Sequence, residues 1–327
     1  SANGARHMPR RVVGARLRGS RAASHAATAI RAGMRAVVGL PIISLPTAWA
    51  TTEDEYFSRG LDVHRDLVSE ELITTAFAPH APYTVSDEAF ERMRSLADEM
   101  DIPIHLHLLE AAGEVEGSIE EHGLHPLERL ERLGILGPRL LAVHMTQLTA
   151  QDIDRVAEAG VHVLHCPASN LKLASGICPV AELDRRGVNI AIGTDGAASN
   201  NTLDMFAEMR LAALLAKGSS GDPEAVPAAR ALSMATLHGA RALGLASRVG
   251  TIEAGKQADL VAVRLDELQT SPIHNVISHL VYACSSRQVE RVWIAGRAVY
   301  QDGESVHIDG ARLERQTRDW HRRLQAS

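Results

Sequence analysis

Short apolar runs alternate with longer amphipathic segments along most of the chain. The apolar runs are nearly continuous, which is typical of parallel strands covered on both faces. They lie at 36–40, 73–78, 102–108, 140–144, 161–166 and 188–193. Among the amphipathic segments, 87–100 and 150–159 have helical spacing, and Ser86 is a suitable N-cap for the first. Strand and helix in regular alternation predict a parallel α/β architecture.

Polar residues recur at one place relative to these strands, namely at or just beyond their carboxyl ends. These residues are His80, His107, His144, His165 and Asp195. Their intervals of 27, 37, 21 and 30 residues fit the βα units of a TIM-type barrel, whose catalytic groups collect at the carboxyl ends of the strands. A doubly wound sheet has similar intervals but favours a glycine-rich phosphate loop, and neither G-x-G-x-x-G nor G-x-x-x-x-G-K-[ST] is present. The sequence therefore favours the barrel.

The pattern changes after Ser247, where short segments typical of antiparallel strands begin. These segments are 249–252, 258–263 and 289–300, followed by a turn at 302–303 and a polar helix from about Gly310. We expect three parts: an atypical Arg-rich segment at 1–25, the barrel at 26–247, and a β-rich module with a terminal helix at 248–327.

Composition narrows the class of protein further. The chain is 45% apolar with a mean hydropathy of −0.07, and no apolar run approaches the ~18 residues of a membrane span, so we expect no membrane association. The net charge is −6, although residues 1–52 carry eight Arg and no acid. The Arg-rich segment 1–25 lacks aromatic residues, which speaks against nucleic-acid binding. Three cysteines without C-x-x-C spacing, and no apolar segment after the basic N-terminus, predict a cytoplasmic protein.

The five polar residues at the carboxyl ends of the strands, which we call the rim, suggest metal chemistry. Neutral imidazoles and a carboxylate are ligands that bind zinc or iron, and four histidines with one aspartate are expected at one rim. Glu110 follows His107 by three residues and reaches the same mouth, where a carboxyl can act as general acid or base. We expect His105 to point to the face opposite His107 and to be structural. For His165, a supporting role in the site and a purely structural role are both open.

Five stretches carry motifs that resemble a known family. They are APHAPY at 78–83, HLLE at 107–110, VHM at 143–145, HCPASNLKL at 165–173 and GTDGAASNN at 193–201. They are similar to the amidohydrolase superfamily, and within it to the 5′-methylthioadenosine/S-adenosylhomocysteine deaminases. The similarity runs from about Ala26 to the C-terminus, and the last two stretches together are highly specific. It implies a zinc-dependent enzyme that deaminates a small purine nucleoside hydrolytically.

The resemblance also implies a role for each matched residue. His107 and Asp195 would bind one metal ion, zinc, with iron or another divalent metal as an alternative. Asp195 would also take a proton from the attacking water, while Glu110 would protonate the purine N1 and His144 would position the water. His80 would contact the substrate at its ribose, and it stands where two-metal members carry a bridging lysine. Because zinc lowers the pKa of bound water to about 7, hydroxide would attack C6, ammonia would leave, and the inosine analogue would form.

One feature of the family is absent from the sequence. Members carry a His-x-His pair at the end of the first barrel strand, whereas the only such pair here is His105 and His107. Six strands precede the β-rich module, and an eight-stranded barrel needs two more. We therefore expect a barrel without its first two βα units, with weak zinc binding and impaired turnover. The two uncovered strand edges lead us to expect a homo-oligomer.

Two classes of function stay open at this point. In the first, the chain is a zinc-dependent deaminase of adenosine-type nucleosides. In the second, it is a catalytically silent subunit or scaffold that keeps half of the site. A nearer alternative is an amidohydrolase deaminase that acts on guanine or a triazine, because the residues that separate these substrates lie largely in loops.

Overall fold

Six parallel strands form the central sheet of the computed structural model, which describes residues 21–325. The strands pair in sequence order. Their bounds are β1 (Ala36–Ile42), β2 (Ile73–Pro79), β3 (Ile104–Leu108), β4 (Leu140–His144), β5 (His162–His165) and β6 (Asn189–Ile192). The predicted α/β fold of TIM type is confirmed, because every strand runs parallel to its neighbour and helical segments connect successive strands.

Helices precede β1, connect the strands and follow β6. Their bounds are α1 (Arg21–Ala32), α2 (Glu53–Leu67), α3 (Asp87–Met100), α4 (Ala112–His122), α5 (Pro126–Arg132), α6 (Ala150–Ala159), α7 (Pro167–Lys172), α8 (Val180–Arg185), α9 (Met205–Ser220), α10 (Ala228–Met234) and α11 (Leu237–Ala242). The local sequence explains where several of these helices begin. Ser86 and Thr149 accept hydrogen bonds from backbone N–H groups in the first turns of α3 and α6, and Asp204 does so for α9.

The two faces of the sheet have different surroundings. Side chains on one face, among them Leu40, Phe77 and Leu106, are fully buried under the helices. Phe77, for instance, meets Phe57 of α2 edge to face, with ring centroids 6.1 Å apart. Side chains on the other face of β3, His105 and His107, are only half-buried. At β3 this second face is therefore more open than the first, whereas on β4 and β6 Leu141 and Ala191 pack against Ala242 of α11.

The sheet stays open within the described residues. β1 and β6 are its two outer strands and do not pair with each other. On β1, Gly39 packs so closely against β2 that an added Cβ would lie 2.9 Å from the Cβ of Ala78. β1 and β2 are thus closely packed in a continuous parallel register. Six strands nevertheless do not close an eight-stranded barrel.

A second, antiparallel sheet lies toward the C-terminus. It contains β7 (Leu260–Val263), β8 (Val289–Ile294), β9 (Arg297–Gln301) and β10 (Glu304–Ser305), and it is accompanied by α12 (Val276–Tyr282) and α13 (Gly310–Gln325). Residues 249–252, which we expected to form a strand, do not. Gly250 has a φ of +100°, and an added Cβ there would lie 2.8 Å from Ala240 of α11, so this stretch packs against a helix instead of a strand.

The three predicted parts are not tested as independent units. The boundaries after residues 25 and 247 stay predictions, and the Arg-rich segment lies mostly outside the described residues. In the part of the chain that the structure covers, no helix is both long and apolar enough to span a bilayer. The cysteines at 166, 178 and 284 are free and buried.

Arg35 connects the six-stranded sheet to the antiparallel one. Its Nε donates to Asp259 Oδ2 at 2.7 Å, and its Nη2 donates to Asp259 Oδ1 at 3.0 Å and to Gln257 Oε1 at 2.6 Å. Asp259 also accepts the Ala295 N–H at 2.8 Å. Burial raises the pKa of Asp259, but the hydrogen bonds from Arg35 and Ala295 outweigh it and hold the pKa below its usual value. The ion pair is therefore charged and well satisfied at neutral pH.

We expect Arg35→Ala to lower the free energy of unfolding by roughly 2–3 kcal/mol, because it leaves a largely buried aspartate without its cation. Arg65→Ala is the matched control, since Arg65 pairs with Asp62 on an exposed helix surface and should cost about 0.5 kcal/mol or less. Urea unfolding of both variants measures the difference, and equal costs would contradict this view of the Arg35 contact.

Candidate active site at the carboxyl ends of the strands

Three histidines lie side by side at the ends of β2, β3 and β4. The ring centroids of His80 and His107 are 5.8 Å apart, and those of His107 and His144 are 5.4 Å apart. His107 Nδ1 lies 2.9 Å from the backbone oxygen of His80, which can only accept, so Nδ1 carries the proton. Burial lowers the pKa of His107, and the neighbouring His144 lowers it further. His107 is therefore a neutral imidazole with a free lone pair on Nε2.

Glu110 approaches the same histidines from the turn after β3. Leu109 has a φ of +50°, so the chain turns sharply where the strand ends. Glu110 Oε2 lies 3.6 Å from His144 Nε2, and Ser175 Oγ lies 3.5 Å from Glu110 Oε1. The glutamate side chain keeps 29% of its surface exposed, whereas the His144 side chain keeps 2%. A carboxyl that a ligand can reach is thus held beside a buried imidazole.

The start of α7 connects the two sides of the rim. Asn170 Oδ1 lies 2.8 Å from His144 Nδ1, so the amide oxygen accepts the proton of that ring nitrogen and leaves Nε2 to face Glu110. The preceding residue, Ser169, donates its hydroxyl to Asp195 Oδ2 at 2.7 Å. Two consecutive side chains therefore orient His144 at the end of β4 and Asp195 beyond β6, a function typical of residues that support metal ligands.

Asp195 is held in its ionised form by hydrogen bonds. It has a φ of +60°, and its carboxylate accepts the hydroxyls of Ser169 and Ser199 and the N–H of Gly196. Burial raises the pKa of Asp195, but the bonds from Ser199, Ser169 and Gly196 more than offset it, so the pKa is lower than usual. An ionised carboxylate at this place can bind a cation or accept a proton.

A buried glutamate fixes the loop that carries Asp195. Glu208 of α9 is fully buried; its Oε2 accepts the N–H of Ala168 at 3.0 Å, and its Oε1 accepts Asn200 Nδ2 at 2.8 Å. Asn200 Nδ2 also donates to the Thr194 carbonyl at 2.9 Å. Burial raises the pKa of Glu208 against the effect of these bonds. The loop after β6 and the start of α7 are thereby fixed to the same side chain.

The donor atoms suit zinc in kind but not in number. His107 offers Nε2 and Asp195 offers a carboxylate, which are the ligand types that zinc prefers. A catalytic zinc site usually has three protein ligands, and among residues 21–325 no three His, Cys, Asp or Glu side chains come together to hold a metal. The described residues therefore do not complete a zinc site of this kind, in agreement with the lack of a second His-x-His pair.

The prediction for His105 was wrong in its geometry. Residues two apart in a strand point to the same face, so His105 lies on the face of His107, with ring centroids 6.4 Å apart. Burial is the main cause that lowers the pKa of His105 to about 4, so it is neutral and adds no charge to the site. His105 is thus a near neighbour of the rim, one layer deeper in the interior.

His165 is fully enclosed and lies near His144. Burial, and then the proximity of His144, lowers the pKa of His165 to about 3. Neither of its ring nitrogens has a hydrogen-bond partner in the described part of the chain. His165 is therefore a buried neutral imidazole, and its two predicted roles, support of the site and a purely structural one, both stay open.

Sequence reasoning missed several residues that hold the site in place. Glu114 accepts the N–H groups of Leu109 and Glu110, and Thr146 Oγ1 donates to the Glu110 carbonyl at 2.7 Å. Ser199 was missed as a partner of Asp195. The HCPASN stretch did contain a signal, since Ser169 and Asn170 belong to it, but their partners follow only from the fold.

Comparison with known proteins agrees with this arrangement. Residues 10–299 match the amidohydrolase family. The 5-methylthioadenosine/S-adenosylhomocysteine deaminase of Teredinibacter turnerae is 46% identical over 296 residues, which are 90% of this chain and 67% of that protein. A crystal structure of an adenosine deaminase from Xanthomonas campestris with bound zinc has a TM-score of 0.92 at 53% identity and covers 94% of this chain and 70% of its own.

A more distant structure shares the fold alone. The zinc complex of atrazine chlorohydrolase from Arthrobacter aurescens has a TM-score of 0.83 at 24% identity, over 91% of this chain and 68% of its own. The chain spans about two thirds of the length of these relatives. It belongs to the amidohydrolase family. By that membership it is a hydrolase that acts on carbon–nitrogen bonds.

We expect the double variant Ser169→Ala/Ser199→Ala to raise the pKa of Asp195, because burial is then opposed by fewer hydrogen bonds. Carboxyl ¹³C NMR titration of metal-free protein measures this. Ser219→Ala is the control, since the Ser219 hydroxyl donates to Leu215 on an exposed helix surface. An unchanged Asp195 pKa in the double variant would contradict the assignment.

Proposed function

We propose that this chain has the site of a zinc-dependent aminohydrolase of adenosine-type nucleosides, with 5′-methylthioadenosine and S-adenosylhomocysteine as substrates. The observation that supports this most is the pair formed by Glu110 and His144 beside His107, which places a carboxyl that can act as acid or base next to two imidazoles. The names of the similar proteins point to the same substrates, because they include methylthioadenosine and adenosine deaminases.

The reaction adds water at C6 of adenine, breaks the bond from C6 to the exocyclic nitrogen, and releases ammonia and the inosine analogue. We assign Glu110 to protonate N1, because its carboxyl is the accessible acid of the rim. His144 positions the attacking water through Nε2, the nitrogen that the Asn170 contact leaves free. Asp195 takes the proton from that water, as its hydrogen bonds keep it ionised.

His80 is the proposed contact for the ribose. It is exposed, its Nδ1 lies 3.2 Å from Thr84 Oγ1, and its ring meets that of Tyr83 edge to face with 6.4 Å between the ring centroids.

His107 and Asp195 would hold one zinc ion. When bound, zinc would activate the water as a Lewis acid.

The described residues provide fewer ligands than this chemistry needs. We propose that the two missing ligands and the two missing βα units are not represented among residues 21–325, and that the chain by itself binds zinc weakly. The same observation favours a second candidate function, a catalytically silent subunit that keeps the fold without turnover. Action on guanine or a triazine is less well supported, since the triazine-type relative with bound zinc shares the fold at only 24% identity.

The open edges of β1 and β6 support a further part of the proposal. Among residues 21–325 the outer edges of these two strands have no partner strand, and such edges favour association, so we propose that the chain forms a homo-oligomer. Its location in the cytoplasm stays a prediction from the sequence.

We expect purified protein to contain well under one zinc per chain and to deaminate 5′-methylthioadenosine slowly or not at all. Metal analysis gives the first quantity, and the ultraviolet change on conversion of adenine to hypoxanthine gives the second. One zinc per chain with a kcat in the usual range of about 1–10³ s⁻¹ would overturn the account of the missing ligands.

Where zinc supplementation yields turnover, Glu110→Gln should lower kcat on the order of 10²-fold or more, because the amide cannot deliver a proton to N1. Glu116→Gln is the control, because Glu116 lies six residues further along, in α4, and is exposed. Retained turnover in Glu110→Gln would remove this residue from the proposed mechanism.

A further inference from the structure

Glu114 is a buried acid that the proposed mechanism does not use. It is the third residue of α4, and only 9% of its surface is exposed. Its Oε1 accepts the N–H of Leu109 at 2.8 Å, and its Oε2 accepts the N–H of Glu110 at 2.9 Å. Each carboxylate oxygen thus accepts a hydrogen bond from one of two consecutive backbone N–H groups. One of these N–H groups is that of Glu110, the proposed general acid.

These contacts differ from ordinary helix capping. A glutamate at the third position of a helix usually reaches back to the N-cap N–H in a capping box. The N-cap of α4 is Ala111, and Glu114 reaches past it to the two residues before the N-cap. Its side chain therefore fixes the end of β3 and the turn after it.

The peptide of Glu110 is held from both sides. Thr146, just beyond β4, donates its hydroxyl to the Glu110 carbonyl at 2.7 Å, and its N–H donates to the Leu109 carbonyl at 2.9 Å. Leu109 itself has a φ of +50°, a conformation that costs energy for a leucine and needs such support. Because its N–H and its carbonyl are both hydrogen-bonded, the Glu110 backbone is fixed. The Glu110 side chain extends from it so that Oε2 lies 3.6 Å from His144 Nε2.

Stability alone is a poor explanation for a carboxylate at this position. Burial of a charged group is costly, and a second carboxylate on Glu110 lies close enough to affect it. Burial raises the pKa of Glu114 to about 7, even though the N–H groups of Leu109 and Glu110 oppose this shift. A costly charge next to a reactive group is typical of functional sites.

We propose that Glu114 is a positioning residue, whose carboxylate fixes the backbone of Leu109 and Glu110 and so aims the Glu110 carboxyl at the bound purine. The inference rests on the proposed function, because it assumes that Glu110 acts on the base. A displacement of about 1 Å at such a group costs on the order of 10²-fold in rate. This explains why the Glu110 backbone is hydrogen-bonded by both Glu114 and Thr146.

The first test needs neither metal nor substrate. Glu114→Gln keeps the shape of the side chain but presents an NH2 group to one of the two N–H donors. At pH 8, above the pKa of Glu114, we expect the amide hydrogens of Leu109 and Glu110 to exchange at least about tenfold faster in this variant. The control Glu116→Gln should leave both unchanged. Unchanged exchange in Glu114→Gln would overturn the inference.

The second test separates positioning from a general structural effect. Calorimetry gives the Kd of 5′-methylthioadenosine for metal-free wild type, Glu114→Gln, Glu110→Gln and the double variant. We expect Glu114→Gln to weaken binding about tenfold in the wild-type background and less than about twofold in the Glu110→Gln background. Equal weakening in both backgrounds would show that Glu114 acts independently of Glu110, and would overturn the inference.

The same experiments distinguish failure of the inference from failure of the proposed function. If wild-type protein does not bind the nucleoside, the proposed substrate class is wrong, and the exchange experiment alone decides whether Glu114 holds the Glu110 backbone. Where supplementation with zinc gives turnover, a lower kcat in Glu114→Gln adds support, whereas a raised KM with an unchanged kcat speaks against positioning.

Discussion

Parallel pairing of the six strands is the constraint on which the site depends. Because all six strands run in one direction, their carboxyl ends meet on one side, and residues far apart in sequence become neighbours. His80, His107 and His144 come together in this way from β2, β3 and β4. Backbone hydrogen bonds between strands thus determine the positions of the reactive groups to within about a residue, before any side-chain contact is considered.

Side-chain hydrogen bonds then orient what the strands bring together. Asn170 orients His144, Ser169 and Ser199 orient Asp195, and Glu114 holds the backbone of Glu110. The contact with Asn170 uses His144 Nδ1 and leaves Nε2 to face Glu110. Leu109, His144 and Asp195 all have positive φ, so the backbone around the site stores strain that these bonds must offset.

The sequence predicted the elements better than it predicted the contacts. Apolar runs and caps gave β4 at 140–144 and α3 at 87–100 with the bounds seen in the structure, because burial on both faces and a serine N-cap are local signals. The segment 249–252 failed, since its packing against α11 depends on residues that lie elsewhere in the fold. Glu114 was missed for the same reason: its role follows from a side chain that reaches back across the start of α4, which no periodicity reveals.

The chain combines strong family similarity with an incomplete set of metal ligands. It is 46% identical to a methylthioadenosine/S-adenosylhomocysteine deaminase, yet its described residues bring no three potential ligands together. The central claim is that this rim still recognises an adenosine-type nucleoside through Glu110. A crystal structure with 5′-methylthioadenosine bound tests it most directly. The account predicts that the Glu110 carboxyl lies within about 3.2 Å of N1, with the ribose at His80. A nucleoside bound away from this rim, or with N1 turned from Glu110, would contradict it.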